Sequence, residues 1–302
     1  MEIRPAQEGD IPAIVELLKL SLGESRMPKS EAFWRWKHLE NPFGKSPVLL
    51  AIEGDKLIGV RAFIRWEWKQ GDKIYKTVRA VDTATHPEHQ GKGIFKKLTL
   101  DLVHQCREEG IDFIFNTPNT NSKPGYLKMG WSALGRLNIN FRPVFRLLTR
   151  TASDFEEQFR WNEEAVNRLQ YLSSSNVMVT HHKPGFFHWR YGSNPNVRYY
   201  MAGNEKVGLY IIFRIKPIRL GTEFRVVNMI TPNAITKKQF DAVLMPAVKQ
   251  VGPCLITYAG EQILPGFISM KVGPVVTIHS LNIDKPLSFG VWKPSLGDME
   301  VF

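Results

Sequence analysis

Residues 85–95, THPEHQGKGIF, are the starting point for predicting the fold. A strand-like segment, Val78–Thr85, precedes the loop, and a helix with apolar residues at four-residue steps begins at Ile94. The first amides of a helix have no acceptor inside the helix and attract anions, and glycines let a phosphate approach the backbone closely. The sequence therefore predicts a phosphate-binding loop between a strand and a helix, although a plain tight turn would also explain the loop taken alone.

The elements around this loop alternate between strands and helices, as in a mixed α/β protein. A short strand, two helices and hairpin strands are expected upstream, and a strand, a short helix and a final strand downstream. The predicted elements are Glu2–Pro5, a helix after Asp10, Ser30–Leu39, Pro47–Ile52, Leu57–Trp68, Ile74–Val78, Val78–Thr85, the helix from Ile94, Ile111–Asn116, Pro124–Lys128 and Leu134–Phe141.

The composition is that of a globular protein with excess positive charge. The chain has 302 residues, which predicts two domains, and 40 Lys and Arg against 29 Asp and Glu give a formal net charge of +11. This charge favours a phosphate-rich partner but also fits an ordinary solubilising surface, and without a recognisable binding motif no specific nucleic acid is predicted. No apolar run reaches the ~20 residues of a membrane span. The acidic N-terminus and only two cysteines, Cys106 and Cys254, favour a reduced, cytoplasmic protein.

The second half of the chain repeats the first in a weaker form. Residues 33–37, FWRWK, match residues 186–190, FFHWR, and an Asn-Pro pair follows each at the same spacing. Four later pairs of segments match in the same order, which chance rarely provides. These pairs are EGDKLIG at 53–59 with AGNEKVG at 202–208, RAVD at 79–82 with RVVN at 225–228, FIFN at 113–116 with LITY at 255–258, and PGY at 124–126 with PGF at 265–267. We predict a duplication, with domains at 1–145 and 146–302 and a linker helix at about 153–172.

The second copy keeps the apolar and turn positions and loses the polar ones. Asp82 corresponds to Asn228, and Tyr126 corresponds to Phe267. The glycine loop is replaced by residues 234–238, AITKK, which contain no glycine. This pattern indicates that the second copy is kept for structure or substrate shape and that the chemistry lies in the first copy.

The loop and the strand before it resemble the acyl-CoA pyrophosphate site of the GNAT N-acetyltransferase superfamily. The family pattern Q/R-x-x-G-x-G/A matches at Gln90 and Gly93, whereas Phe95 stands where the family has a small residue. Residues 126–131, YLKMGW, resemble a second family element, Y-x-K-x-G-F, at the expected distance downstream. The resemblance covers residues 1–142 and implies an α/β (α+β) fold of two GNAT-like mixed-sheet domains with flanking helices, the second being degenerate.

The resemblance also implies roles for individual residues. Backbone amides of the loop would bind the pyrophosphate of acetyl-CoA, and the end of the preceding strand would hold the pantetheine arm and polarise the thioester carbonyl. Tyr126 would protonate the departing thiolate. The implied acetyl-CoA-binding residues are Thr83, Ala84, Thr85, Gln90, Gly91, Lys92, Gly93, Ile94 and Asn119.

Elementary chemistry supports two side chains as catalytic groups. The leaving thiolate needs a proton, which a tyrosine hydroxyl such as that of Tyr126 can donate at neutral pH. Asp82, near the end of the strand before the glycine loop, could bind the acceptor's ammonium group or take its proton, directly or through water. Ordinary aromatic packing of Tyr126 and structural hydrogen bonding of Asp82 are the alternatives. His86 and His89 have no further ligand at a suitable spacing, so no metal is predicted.

We therefore expect an N-acetyltransferase that transfers acetyl directly from acetyl-CoA to a small-molecule amine, with an amino sugar as the acceptor suggested by analogy. Two other interpretations stay open. In the first, Phe95 spoils the site and the chain is a non-catalytic acyl-CoA-binding or regulatory protein. In the second, which rests on charge alone, it binds nucleic acid or an anionic surface. The second copy would wall off the acceptor site or fix the geometry of the two copies.

Overall fold

A computed structural model describes residues 1–24, 27–144, 158–159, 161–165, 176–204, 206–231, 235–283 and 287–299. Within these ranges the chain forms two β-sheets of mixed strand direction flanked by helices, which confirms the predicted fold class. Most of the predicted linker helix, at about 153–172, lies outside the described residues. In the described part no helix is both long and apolar enough to cross a bilayer.

The elements of the first half follow the predicted order. They are β1 (Glu2–Pro5), α1 (Ile11–Leu22), α2 (Glu31–His38), β2 (Val48–Glu53), β3 (Lys56–Gln70), β4 (Lys73–Thr85), α3 (Ile94–Glu108), β5 (Phe113–Asn116), α4 (Lys123–Lys128), β6 (Ser132–Arg136) and β7 (Ile139–Pro143). The two strands expected to meet at Val78 are one continuous strand, β4, because it pairs with β3 along its whole length. The predicted final strand, Leu134–Phe141, is divided into β6 and β7, which belong to different sheets.

The second half repeats this order with shorter or altered elements. They are β8 (Val179–Thr180), β9 (Tyr200–Asn204), β10 (Leu209–Ile218), β11 (Gly221–Ile230), α5 (Lys237–Val251), β12 (Leu255–Ala259), β13 (Ile268–Met270), β14 (Val275–Ser280) and α6 (Leu296–Met299). Helix α5 begins with a capping box, in which Thr236 and Gln239 bond to each other's backbone amides. At the start of α5, side chains therefore bond to the backbone amides that a glycine loop would leave without a partner.

The two halves exchange strands: the first half gives β7 to the second sheet, and the second half gives β14 and the short β8 to the first sheet. In the first sheet β14 lies between β5 and β6, in the order β1-β2-β3-β4-β5-β14-β6, and β8 pairs with β3. In the second sheet β7 lies between β13 and β12, in the order β13-β7-β12-β11-β10-β9. Neither sheet is therefore built from one half alone, a feature that the sequence analysis did not predict.

Equivalent tryptophans of the two copies meet where the halves pack together. Trp36 Nε1 donates to the carbonyl of Trp189, and Trp189 Nε1 donates to the carbonyl of Trp36, both at 2.7 Å. The two indole rings stack with their centroids 5.1 Å apart. A reciprocal contact between equivalent residues is what a two-fold arrangement of similar units produces, and it supports the predicted duplication.

Helix α3 packs on the first sheet through the apolar residues predicted for this face. Gly59 of β3 lies directly beneath the start of the helix, where a Cβ atom would come within 2.7 Å of Ile94 Cγ2. This close approach fixes the N-terminus of α3 beside the end of β4. The residues of this face, all buried, are Ile94, Leu98, Leu102 and Cys106.

Candidate active site

A cleft opens where β4 and β5 separate. These parallel strands pair only from Thr77 with Phe113 to Arg79 with Phe115, and β4 continues to Thr85 beside β3 alone. The backbone on the β5 side of Ala80–Thr85 therefore faces open space. The resulting cleft has a volume of about 960 Å³ and is bounded by β4, the loop before α3, residues 116–119 and α4. A cleft of this size can hold a cofactor-sized ligand.

Asp82 sits at a β-bulge on the wall of this cleft. The pairing of β3 with β4 shifts by one residue between Arg61 and Ala62, which leaves Asp82 without a partner on β3. Its φ is 28°, the one positive φ among the described non-glycine residues. Such a conformation costs about 1–3 kcal/mol and tends to occur at functional sites.

The loop before α3 presents two left-handed glycines to the cleft. Gly91 has φ 77° and Gly93 has φ 80°, and a Cβ atom at either position would meet nothing within 4 Å. Gly93 is the N-cap of α3 and has no side chain to occupy the first amides of the helix. Lys96 also lines the cleft. The loop therefore offers open backbone donors and positive charge, which fits a phosphate group.

Phe95, the departure from the family pattern, turns away from the two loop glycines. Its ring packs edge-on against Tyr126, with centroids 5.7 Å apart. Gly125 makes room for it, because a Cβ atom there would lie 3.2 Å from Phe95 Cε1. The ring therefore forms part of the cleft wall and does not fill the space above the glycines.

Tyr126 is buried in α4, with its hydroxyl at the cleft. Its Oη atom accepts a hydrogen bond of 2.6 Å from Arg61 Nη2. The rings of Phe95 and Trp131 hold the tyrosine ring from two sides, the latter at a centroid distance of 5.2 Å. Tyr126 is thus a positioned hydroxyl and not only a packing residue.

The carboxylate of Asp82 is held by two buried donors from α2. Lys37 Nζ and His38 Nε2 each lie 2.8 Å from Asp82 Oδ2. Because a carboxylate only accepts, the Nε2 atom of His38 carries the proton. Among the hydrogen bonds of the described residues none uses Asp82 Oδ1, and Asp82 lines the cleft. One carboxylate oxygen is therefore available to a ligand.

Charge and burial set the protonation of this cluster. Burial alone would raise the pKa of Asp82, but the charge of Lys37 and the hydrogen bonds from His38 and Lys37 hold the pKa well below its usual range. Burial lowers the pKa of His38 and that of Lys37, against the attraction of Asp82 in both cases. Asp82 therefore stays ionised at neutral pH, and His38 stays neutral.

The cleft brings together most of the residues that the sequence predicted. Lys92 is the exception, because it is exposed and does not line the cleft, although its backbone belongs to the loop. Asn119 stands at the mouth, where its Oδ1 atom already accepts from the amides of Asn121 and Ser122 and from the Ser122 hydroxyl. Its amide nitrogen is the part left for a ligand. The predicted residues that line the cleft are Asp82, Thr83, Ala84, Thr85, Gln90, Gly91, Gly93, Ile94, Asn119 and Tyr126.

Three buried charged residues of the cleft were not predicted from the sequence: Lys37, Arg61 and Arg79. A signal existed for two of them. Lys37 belongs to a helix with aromatic residues around much of its circumference, and Arg61 interrupts an otherwise apolar strand segment, 58–64, so each had to be buried. Arg79 donates to the carbonyls of Asp298 and Met299, which ties the cleft to α6 in a way no local pattern predicts.

Three side chains at the entrance of the loop approach one another. Metal-ligating atoms of His86, Glu88 and His89 lie within 4.8 Å. Glu88 is also paired with Lys56 at 3.1 Å, and His89 lies 3.6 Å from Glu53. Two of the three side chains therefore already have partners on the surface, and no metal was predicted at these residues.

The first half matches a known family. Residues 2–134 match the family model described as acetyltransferase (GNAT) domain. This match confirms the resemblance that the loop and the YLKMGW segment suggested. A comparison with curated proteins gives no match.

Solved structures with the same fold cover nearly the whole chain. A conserved protein of unknown function from Enterococcus faecalis, described as a probable N-acyltransferase, has a TM-score of 0.68 at 10% identity, over 93% of this chain and 73% of that one. A GCN5-related N-acetyltransferase from Anabaena variabilis has a TM-score of 0.65 at 16% identity, over 93% and 73%. One from Kribbella flavida has a TM-score of 0.61 at 12% identity, over 93% and 71%. At these identities the likeness shows the fold.

Proposed function

Because residues 2–134 carry a GNAT acetyltransferase domain, we propose that the cleft transfers an acetyl group from acetyl-CoA to the amine of a small molecule. The observation that carries the proposal is the convergence on one cleft of an open glycine loop, an unpaired strand edge and a positioned tyrosine hydroxyl. Acetyl-CoA would supply the acetyl group, and its thiol would be the leaving group. No metal enters the reaction as proposed.

The loop before α3 would bind the pyrophosphate. The amides of Gly91, Lys92, Gly93 and Ile94 would donate to it, helped by the helix dipole of α3. The amide of Gln90 makes a long bond of 3.4 Å to the carbonyl of Pro87 and would have to be shared. The left-handed glycines and the empty space above them support this placement. Lys96, on the first turn of the helix, would add charge.

The edge of β4 would bind the middle of the cofactor. The main chain of Thr83, Ala84 and Thr85 has no partner strand on the cleft side, so its amides and carbonyls can pair with the amide-containing pantetheine arm. An amide aimed at the thioester carbonyl would stabilise the negative charge that develops there, typically by ~3–4 kcal/mol. Asn119 would contribute its amide nitrogen near the arm or the acceptor.

Tyr126 would act as the general acid for the leaving thiolate. Arginine can only donate, so the contact from Arg61 leaves the proton of the tyrosine hydroxyl for another acceptor. General-acid assistance of this kind is worth roughly 10²–10⁴-fold in rate.

Asp82 would bind the acceptor amine through Oδ1. A carboxylate that stays ionised and is fixed by Lys37 and His38 anchors an ammonium group better than it removes a proton. We therefore favour ammonium binding by Asp82, with the proton leaving through water. An amino sugar stays the acceptor suggested by analogy.

The experiment is a panel of amines, including amino acids, amino sugars and polyamines, assayed for thiol release from acetyl-CoA. We expect release that depends on one class of amine, together with acetyl-CoA binding in calorimetry. Acetyl-CoA binding without release for any amine would overturn catalysis and favour a binding or regulatory protein. DNA affinity that falls steeply with salt, without acetyl-CoA binding, would favour an anionic-surface binder.

A further inference from the structure

Arg61 is a fully buried arginine in the wall of the cleft, with 0% of its surface exposed. Its guanidinium lies over three aromatic rings, with Cζ 4.7 Å from the centroid of Phe63, 5.6 Å from that of Phe95 and 5.4 Å from that of Tyr126. Nη2 makes the bond to Tyr126, and Nη1 makes a long contact of 3.4 Å with the carbonyl of Val81. Its Nε atom has no acceptor among the described residues.

No carboxylate of the described residues forms an ion pair with Arg61. Removing a charge from water without a counter-ion costs several kcal/mol, so a purely structural role could be filled more cheaply by an apolar side chain. The charge is kept where its strongest contact is a hydroxyl oxygen, at 2.6 Å. The cost of burying the guanidinium is explained if Tyr126 Oη becomes negatively charged during turnover.

The second copy lacks both members of this pair. Phe267 corresponds to Tyr126, and the strand segment 209–213, LYIIF, which corresponds to the surroundings of Arg61, contains no arginine. The aromatic contact around them is kept, since Phe240 and Phe267 lie edge-on at 5.9 Å, much as Phe95 and Tyr126 do. A guanidinium also lies over Phe267, with Arg142 Cζ 4.8 Å from the ring centroid, but this arginine is paired with Asp241 at 2.9 Å. Packing therefore does not need the hydroxyl, and the equivalent ring of the second copy is covered by an arginine that has a carboxylate partner.

We propose that Arg61 is a positioning residue for Tyr126, a step that rests on the proposed function. By donating to Oη, the guanidinium turns the hydroxyl proton towards the cleft. When the C–S bond breaks, this proton passes from Oη to the leaving sulfur, and the O–H electron pair stays on Oη as a phenolate beside the guanidinium. Water then returns a proton to Oη, drawing on the one that the acceptor amine releases. Phe63 and Phe95 exclude water around the pair and strengthen the interaction.

The test compares Arg61→Met, Arg61→Lys, Tyr126→Phe and the double variant R61M/Y126F. We expect Arg61→Met to lower kcat by about 10²-fold, with acetyl-CoA affinity changed by less than about threefold. Arg61→Lys should recover at least part of that loss. In the Tyr126→Phe background the Arg61→Met change should cost little further, because residues that act through one another are not additive. Additive losses, or equal losses of kcat and acetyl-CoA affinity, would overturn the proposal.

A second measurement does not depend on turnover. With tyrosines labelled at Cζ, the Tyr126 resonance is identified by its loss in Tyr126→Phe, and its chemical shift at neutral pH is compared in the wild type, Arg61→Lys and Arg61→Met. We expect the resonance to move in Arg61→Met and to stay closer to the wild type in Arg61→Lys, because the Cζ shift follows the hydrogen bond that Oη accepts. An unchanged resonance in Arg61→Met would overturn the proposal. A moved resonance in a protein that releases no thiol with any amine would refute the proposed function and leave the Arg61–Tyr126 pairing standing.

Discussion

The two copies share their backbone geometry and differ in their chemistry. In both, two parallel strands pair over three residues and then separate, β4 from β5 in the first copy and β11 from β12 in the second. The first copy has a cleft of about 960 Å³ there, whereas the cavity beside Tyr258 in the second is about 310 Å³. The separation of the strands is thus a property of the fold, and the cleft depends on which side chains stand beside it.

The polar clusters show the same contrast. Asp82 lies 2.8 Å from His38 in the first copy, and at the matching place in the second Asn228 lies 3.2 Å from the hydroxyl of Tyr191. Lys37 corresponds to Arg190, which donates to the carbonyl of Gly297 and the hydroxyl of Tyr199. A cluster with a carboxylate oxygen open to the cleft is thus matched by one without a carboxylate, in which the arginine and the asparagine bond to backbone carbonyls and tyrosine hydroxyls. The second copy keeps the contacts that hold the fold, and only the first has a carboxylate oxygen left at this place.

The largest effect is expected for the tyrosine that only the first copy has. Tyr126→Phe should lower kcat by about 10²–10⁴-fold, because the leaving thiolate loses its acid. The matched control is Phe267→Tyr, which adds a hydroxyl to the second copy and should leave thiol release unchanged. The measurement is kcat for thiol release by both variants. A large effect of Phe267→Tyr would mean that the second copy takes part in the chemistry.

Asp82→Asn gives the first copy the residue of the second. We expect kcat to fall by about 10–10²-fold, because the acceptor loses its anchor, and stability to fall by ~2 kcal/mol or more, because Lys37 keeps a buried charge without its partner. Asn228→Asp should leave kcat near wild type. The measurements are kcat, acetyl-CoA affinity and chemical denaturation. Losses of turnover and acetyl-CoA affinity of the same size would assign Asp82 to structure alone.

Gly93→Glu tests the loop that the second copy replaced. A carboxylate at the start of α3 should repel the pyrophosphate and weaken acetyl-CoA binding about tenfold or more. Gly110→Glu is the matched control, because Gly110 also has a left-handed φ, 73° against 80°, and open space, but lies beyond the other end of α3. Calorimetry should show wild-type affinity for Gly110→Glu. Equal effects of the two changes would point to backbone strain and not to a phosphate site.

The reciprocal tryptophans test the symmetry itself. Trp36→Phe and Trp189→Phe each remove one hydrogen bond of 2.7 Å and part of the same stack, so each should lower the free energy of unfolding by about 1–3 kcal/mol. Urea denaturation measures both. A much larger loss for one of them would show that the two copies carry the contact unequally.

The smallest effect concerns pH. His38 is buried and neutral, with its pKa lowered, so its contribution to stability is present above the ordinary histidine pKa of ~6.5 and is lost as the pH falls below it. The equivalent residue, Tyr191, does not titrate in this range. His38→Gln should make the acid loss of stability shallower between pH 6.5 and 5, by ~1 kcal/mol. An identical pH profile for the variant would show that His38 does not drive the acid response.

The sequence predicts what is set locally. The strand, loop and helix around Gly91 and Gly93 follow from apolar spacing and from glycines that tolerate left-handed backbone. Fold class and family follow from the same segment together with the YLKMGW element. The helix predicted at Ser30–Leu39 forms over Glu31–His38, where the Ser30 hydroxyl accepts from the amide of Phe33 at the helix start.

What the sequence does not predict depends on distant partners. The cluster of Lys37, His38 and Asp82 joins residues 44 and 45 positions apart, and a lysine and a histidine on a helix more often face water. The sequence does not predict the exchange of β7 and β14 between the sheets, for a similar reason. Both strands carry ordinary strand patterns, and nothing in such a pattern states which sheet will receive the strand.

The exchanged strand also fixes when the cleft can exist during synthesis. Thr277 of β14 pairs with Asn116, a residue of the cleft, and its hydroxyl donates to the Asn116 side chain. Arg79 is bonded to carbonyls still nearer the C-terminus, those of Asp298 and Met299. A nascent chain that contains only the N-terminal copy therefore lacks contacts that border the cleft. Products truncated before Met299 would lack them too, so the cleft takes its described form only once the chain has been translated past this residue.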